Sequence, residues 1–167
     1  MAGGRLWENW RIVASGYAAI WATENTREAL FEAMKRKEVY ATTGSRIRVR
    51  FFGGWDFTAT MADRPNYEEL GYRHGVPMGG DLTYSKRKQS PKFMFSASRD
   101  PLGANLDRVQ IIKGWLDKDG VPQEKIYDVA WAGERKIDTE TGKLPPIGST
   151  VNFKDATYDN SIGEHEI

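Results

Sequence analysis

The 167-residue chain contains no cysteine, which excludes thiol nucleophiles, disulfides and thiolate-bound zinc while leaving the compartment open. Histidine is nearly as scarce: there are two, His74 and His165. Neither stands in an H-x-H or H-E-x-x-H spacing, whereas a catalytic zinc takes three converging protein ligands. Charge of one sign is also lacking. With 24 Lys and Arg against 23 Asp and Glu, the net charge is +1, and no whole-molecule field draws the chain to nucleic acid or anionic lipid. The longest apolar stretch, Tyr17 to Ala22, falls far short of the roughly 20 residues a membrane helix needs, so no membrane span is expected. Met1 to Glu8 holds no apolar core of a secretory signal; the compartment stays undetermined, and the signal of any exported parent is expected upstream. G-x-G-x-x-G, P-loop and G-x-S-x-G motifs are missing too, which leaves dinucleotide, Walker-type and α/β-hydrolase readings without an anchor.

What is there describes a packed protein. Aromatic residues make up 12% of the chain, six of them Trp, too many for a disordered segment. The length suffices for a real core. Asn25, followed three residues later by Glu28, marks a helix start. Leu30, Phe31 and Met34 are expected as its buried stripe and Glu32 with Arg36 as an i, i+4 pair. The preceding run Gly16–Ala22 reads as a buried strand, and Glu38–Gly44 as another, so the first 44 residues form a β-α-β-like unit.

Beyond it the period changes to two. Arg46, Arg48 and Arg50 alternate with Ile47, Val49 and Phe51, predicting a strand with one arginine face and one apolar face, closed by Gly53 and Gly54. Further strands are expected at Trp55–Thr60, Lys92–Ser98, Arg108–Leu116, Lys125–Trp131 and Thr150–Tyr158. The turn Asp117-Lys118-Asp119-Gly120 predicts a hairpin that puts Tyr127, Val129 and Trp131 on one face. Met61–Lys92 shows little periodicity and reads as a long loop.

Few residues point to chemistry. Asp117-x-Asp119-Gly120 resembles the opening of a calcium loop, but Val121 stands at its fifth position and its twelfth holds Asp128 in place of the bidentate glutamate; a turn uses the same residues. The arginine strand is the best electrostatic feature, since guanidinium forks hold phosphate or sulfate bidentately. A solvated face paired with neighbouring carboxylates explains it as well. No aromatics interleave with these arginines, which argues against single-stranded nucleic acid.

Six ordered blocks carry a resemblance: Ala19–Leu30, Val39–Gly44, Arg50–Asp56, Gly75–Leu82, Asp100–Arg108 and Lys113–Asp117. Together they resemble the C-terminal part of the bacterial family called domain of unknown function 3604, related to the PHP (polymerase and histidinol phosphatase) metal hydrolases. The likeness runs from about Trp7 to Gly163. It implies an α+β, mainly β chain. Residues 1–44 would be the last β-α-β unit of a PHP-like barrel, and residues 45–167 a β-sandwich-like domain truncated at its end. The parent would hydrolyse a phosphate or other ester with zinc, manganese or iron bound upstream of this chain. No metal ligand is carried over. By the same resemblance Thr43, Gly44, Glu24, Asn25 and Asp81 are expected near substrate; Arg50 joins them from the arginine strand.

The expected partners are the upstream barrel of the same parent and a small ester substrate, with no nucleic acid and no membrane span. The competing reading is a stand-alone β-sandwich binding or interaction module. The barrel-like β-α-β unit argues against it.

Overall fold

A computed structural model describes residues 16–85 and 89–167. In chain order the elements are β1 (Tyr17–Ile20), α1 (Arg27–Lys35), β2 (Val39–Thr42), β3 (Arg48–Gly54), α2 (Ala59–Ala62), α3 (Tyr67–His74), β4 (Gly75–Pro77), β5 (Lys92–Ser98), β6 (Arg108–Leu116) and β7 (Pro122–Trp131). Among the described residues, 33% strand against 14% helix make the structure mainly β, and its sheets are not closed. It divides into two units, one reaching Arg46 and taking in Phe52–Phe93, the other made of Ile47–Phe51 and Met94–Ile167.

In the first unit β1 and β2 pair antiparallel, Tyr17 opposite Thr42 and Ile20 opposite Val39. A bond from Trp21 N to Glu38 O at 2.9 Å prolongs the ladder. The strands of a β/α-barrel unit run parallel, so here the intervening helix closes a hairpin. Helix α1 starts one residue later than the sequence predicts. Thr26, not Asn25, is the N-cap: its extended backbone lets its hydroxyl accept from Ala29 N at 3.3 Å while donating to Glu24 Oε1 at 3.2 Å. The expected apolar stripe is not the buried face either, because Ala33 is the buried helical residue while Phe31 is 60% and Met34 47% exposed.

The predicted Glu32–Arg36 pair is likewise replaced. Glu32 meets Lys35 at 3.7 Å, and Arg36, beyond the last helical residue, turns to Glu38. The reason is burial: Glu38 is 3% exposed, and a buried carboxylate must be paired and hydrogen-bonded. Arg36 supplies Nε at 3.1 Å and Nη2 at 2.9 Å, and the Tyr72 hydroxyl adds a third bond at 2.7 Å.

The stretch read as a long loop holds α2, α3 and β4. Helix α3 has acidic Glu68 and Glu69 in its first turn and Arg73 and His74 in its last, the arrangement the helix dipole favours. Its Leu70 and Gly71 are buried. Phe52, wholly buried, lies against Gly71 so closely that a Cβ there would meet the ring at 2.6 Å. It also packs edge-on to Tyr72, with centroids 5.2 Å apart. Phe52 shares its side of β3 with Arg48 and Arg50; that side, and not the Ile47–Val49–Phe51 side, supplies the fully buried residue. Gly54 pairs with Gly75 across β3 and β4, and Phe57 covers both. The expected strand at Trp55–Thr60 is absent, since Phe57 turns in to this cover and α2 begins directly after Thr58.

In the second unit β6 and β7 form the expected antiparallel hairpin, with β7 beginning at Pro122. The register shifts between Val109 and Gln110, so Val129 has no opposite number and the shared face expected for Tyr127, Val129 and Trp131 is broken. Arg108 and Arg135 pin the following segment. Arg108 binds Asp107 at 3.0 Å and the Leu144 carbonyl at 3.3 Å; Arg135 binds Asp107 at 2.7 Å and the Pro145 carbonyl at 2.9 Å. Met94, Ala97, Ala132 and Leu144 are its buried apolar residues. The strand expected at Thr150–Tyr158 is reduced to one bridge, Asn152 with Thr157. The Asn152 side chain accepts from Lys154 N at 3.0 Å and Asp155 N at 3.4 Å, a local turn that competes with ladder formation.

Candidate functional site

The residues expected near substrate stand in separate stretches of the two units. Glu24 and Asn25 follow β1, whereas Thr43 and Gly44 follow β2. Because the two strands are antiparallel, the pairs lie at opposite ends of the ladder, about 10 Å apart along the strands. Glu24 is engaged with Thr26, and Gly44, at φ +122°, donates its N–H to Thr42 Oγ1 at 3.5 Å. Asp81 is exposed in the segment after β4, and Arg50 is half-buried on β3 within the other unit.

A groove in the second unit does gather polar side chains. Its floor is the segment before Ile167, which runs antiparallel to the end of β5. Ala97 and Ile167 exchange N–H···O bonds at 2.7 and 2.9 Å, Arg99 N donates to His165 O at 2.9 Å, and Leu106 and Glu164 exchange bonds at 2.8 and 2.9 Å. Asn105 locks the wall. Its side-chain amide donates to the carbonyls of Asn160 and Ile162, each at 3.0 Å, and of Gly163 at 3.4 Å; Asn160 answers by donating to Gly103 O at 3.2 Å. Arg99 is held in the same way, one Nη1 reaching the carbonyls of Asp100, Pro101 and Gly103 at 3.1, 3.0 and 3.2 Å.

The groove so formed measures about 740 Å³ and is lined by Arg48, Ser98, Arg99, Pro101, Asn105, Asn160, Gly163, Glu164, His165 and Glu166. A smaller pocket of about 310 Å³ adjoins it, sharing Asn105, Asn160 and Gly163 as a common wall. Arg48 is exposed, and Arg99 presents a guanidinium already fixed on one side. Such a planar fork loses little freedom on meeting a carboxylate, phosphate or sulfate. Glu164 and Glu166 temper the positive charge, and Glu166 takes a bond from Ser98 Oγ at 3.1 Å. In the smaller pocket the Asp159 carboxyl is held below its ordinary range, first by the Ser161 hydroxyl and then by the Ser161 N–H. The groove can bind and orient a polar ligand. Among the described residues no group of three or more His, Cys, Asp or Glu could hold a metal ion, and no helix is long and apolar enough to cross a membrane.

Sequence reasoning missed Arg99, Asn105, Asn160 and His165 as lining residues. The side chains of Arg99, Asn105 and Asn160 donate to backbone carbonyls brought together by the fold, which no spacing announces. The one available sign was the Asp100–Arg108 block, where Asn105 stands among turn-forming residues.

Comparison with curated proteins and with solved structures finds no match. A family model described as protein of unknown function (DUF3604) matches residues 2–167. Since that covers nearly the whole chain, the protein belongs to the DUF3604 family.

Proposed function

We propose that the chain is a ligand-handling, non-catalytic part of a metal-dependent hydrolase related to the PHP enzymes, acting on a phosphate or other ester. In this reading residues 1–44 would be the end of a PHP-like barrel and residues 45–167 a sandwich-like domain following it. What supports it is the ordered likeness of six blocks along the chain. The groove lined by Arg48 and Arg99 adds a place suited to an anionic group. Divalent metal, held upstream, would supply the attacking hydroxide. This chain's part would be to orient the ester's polar end in the groove lined by Arg48 and Arg99.

The antiparallel β1–β2 ladder favours the second reading, a stand-alone binding module. Assay separates the two. The isolated chain is expected to show no hydrolysis of p-nitrophenyl phosphate with added manganese or zinc, whereas the full-length parent should turn over one of a panel of phosphate, sulfate, carbamate and carboxylate esters. A parent inert toward the whole panel would favour the binding module. Chelator-sensitive turnover by the isolated chain would overturn the non-catalytic assignment.

A further inference from the structure

The β6–β7 ribbon has two faces of different chemistry. Its register sets Ile111 opposite Tyr127, Lys113 opposite Lys125 and Trp115 opposite Gln123 on one side; Ile112 opposite Ile126, Gly114 opposite Glu124 and Leu116 opposite Pro122 fall on the other. The lysine side carries no carboxylate across these three pairs. Like charges directly opposite one another are destabilising, and each lysine escapes along its own strand. Lys113 Nζ sits 4.8 Å from the Trp115 ring centroid and Lys125 Nζ 5.0 Å from that of Tyr127, in opposite directions along the ribbon. These contacts separate the two charges but supply no counter-ion. On the reverse side Ile112, Leu116 and Ile126 are 62%, 69% and 51% exposed. A two-stranded ribbon is marginal by itself, and a third strand is the ordinary remedy. Among the described residues neither outer edge has a strand partner.

We propose that one outer edge of this ribbon receives an extended acidic polypeptide strand in which acidic and aliphatic residues alternate. Side chains of an added strand point alternately to the two faces. Every second residue would therefore place a carboxylate on the face of Lys113 and Lys125, next to the lysine of the paired strand and one strand away from the other, and the residues between would extend the face of Ile112, Leu116 and Ile126. Main-chain bonds along the edge hold the strand, and the alternation gives the specificity. A nucleic-acid strand would answer the lysines but brings no aliphatic surface to the reverse face. A bilayer wants the apolar and basic groups on one side, and here they are on opposite sides. The inference goes beyond the hydrolase reading and does not depend on it.

The test uses the whole chain and a ten-residue peptide of alternating Glu and Val, with three comparators: alternating Lys and Val, a block peptide of five Glu then five Val, and oligothymidylate. Amide shifts and Trp fluorescence are followed at low and high salt. The alternating acidic peptide is expected to bind at least about tenfold more tightly than each comparator, to perturb amides along one edge of β6 or β7, and to weaken with salt. The Lys113→Glu/Lys125→Glu double variant should reverse the preference toward the Lys–Val peptide, and Lys113→Gln/Lys125→Gln should lose roughly tenfold for the acidic one. Failure of the acidic peptide to bind, equal binding of the block peptide, preference for oligothymidylate, or indifference to both double variants would each overturn the proposal.

Discussion

The hydroxyl of Tyr72 on α3 donates to Oε1 of Glu38 at 2.7 Å, spanning 34 residues of sequence. Arg36 grips the other oxygen, so the carboxylate ties the turn after α1 to α3. Removing one partner of a buried charged group costs more than the bond itself, because the remainder is left desolvated. Glu38→Ala is expected to destabilise the protein by about 3 kcal/mol and Tyr72→Phe by about 1.5 kcal/mol, read from denaturant midpoints with unchanged slopes. Equal, negligible effects would mean that water serves the carboxylate as well as Tyr72 does.

Gly71→Ala sets two effects against each other. Alanine favours a helix over glycine by about 1 kcal/mol, but its Cβ would stand 2.6 Å from the Phe52 ring. Overpacking of that kind costs about 1–3 kcal/mol, so a net loss is expected. Phe52→Leu should cost less when combined with Gly71→Ala than beside the native glycine. A double-mutant cycle measures this, and additive losses would count against the contact.

Asn105 acts as a donor to three carbonyls, and aspartate of the same shape cannot donate. Asn105→Asp should therefore be worse than Asn105→Ala, with losses of about 3 and 2 kcal/mol. Hydrogen exchange at Leu106 and Glu164, whose amides bridge the same segment, should quicken in both. If Asp proved the milder change, the assigned amide orientation would be wrong.

Acid should weaken the second unit. The carboxyls of Asp117, Asp128, Asp138 and Asp159 all lie below their ordinary value of 3.8. The leading causes are the Val121 N–H for Asp117, the Gln110 amide for Asp128, the Thr141 N–H for Asp138 and the Ser161 hydroxyl for Asp159. A group depressed in the folded state adds stability that is complete above the unfolded value and disappears as pH falls through the folded one. Melting temperature is thus expected to be insensitive to these groups above about pH 5 and to fall below about pH 4. Asp117→Asn should flatten part of that acid slope. An unaltered slope in that variant would remove Asp117 from the set.

Much of the β framework was legible because alternation survives wherever one face is half-buried: β5 and β6 lie where the sequence puts them, and the Asp117–Gly120 turn closes the hairpin. What was not legible depended on partners distant in sequence. Phe31 and Met34 carry the helical spacing of a core stripe, yet a small residue, Ala33, faces inward. Helix α3 was hidden because its buried stripe is only Leu70 and Gly71, a single large apolar side chain beside a glycine. The groove escaped for a related reason, since Arg99 and Asn105 are defined by carbonyl oxygens and side-chain chemistry says nothing of where those will gather.

The unpaired Val129 also sets a phase. Everything on β7 from the turn to Asp128 is read against β6 one step out of line with the pairs at Arg108 and Val109. Deleting Val129 would join the two stretches into one regular ladder with every present pair kept. The spare residue is therefore the place where the arm can be shortened by one without turning a side chain over, whereas loss of a paired residue between the turn and Asp128 would put its neighbours on the opposite face.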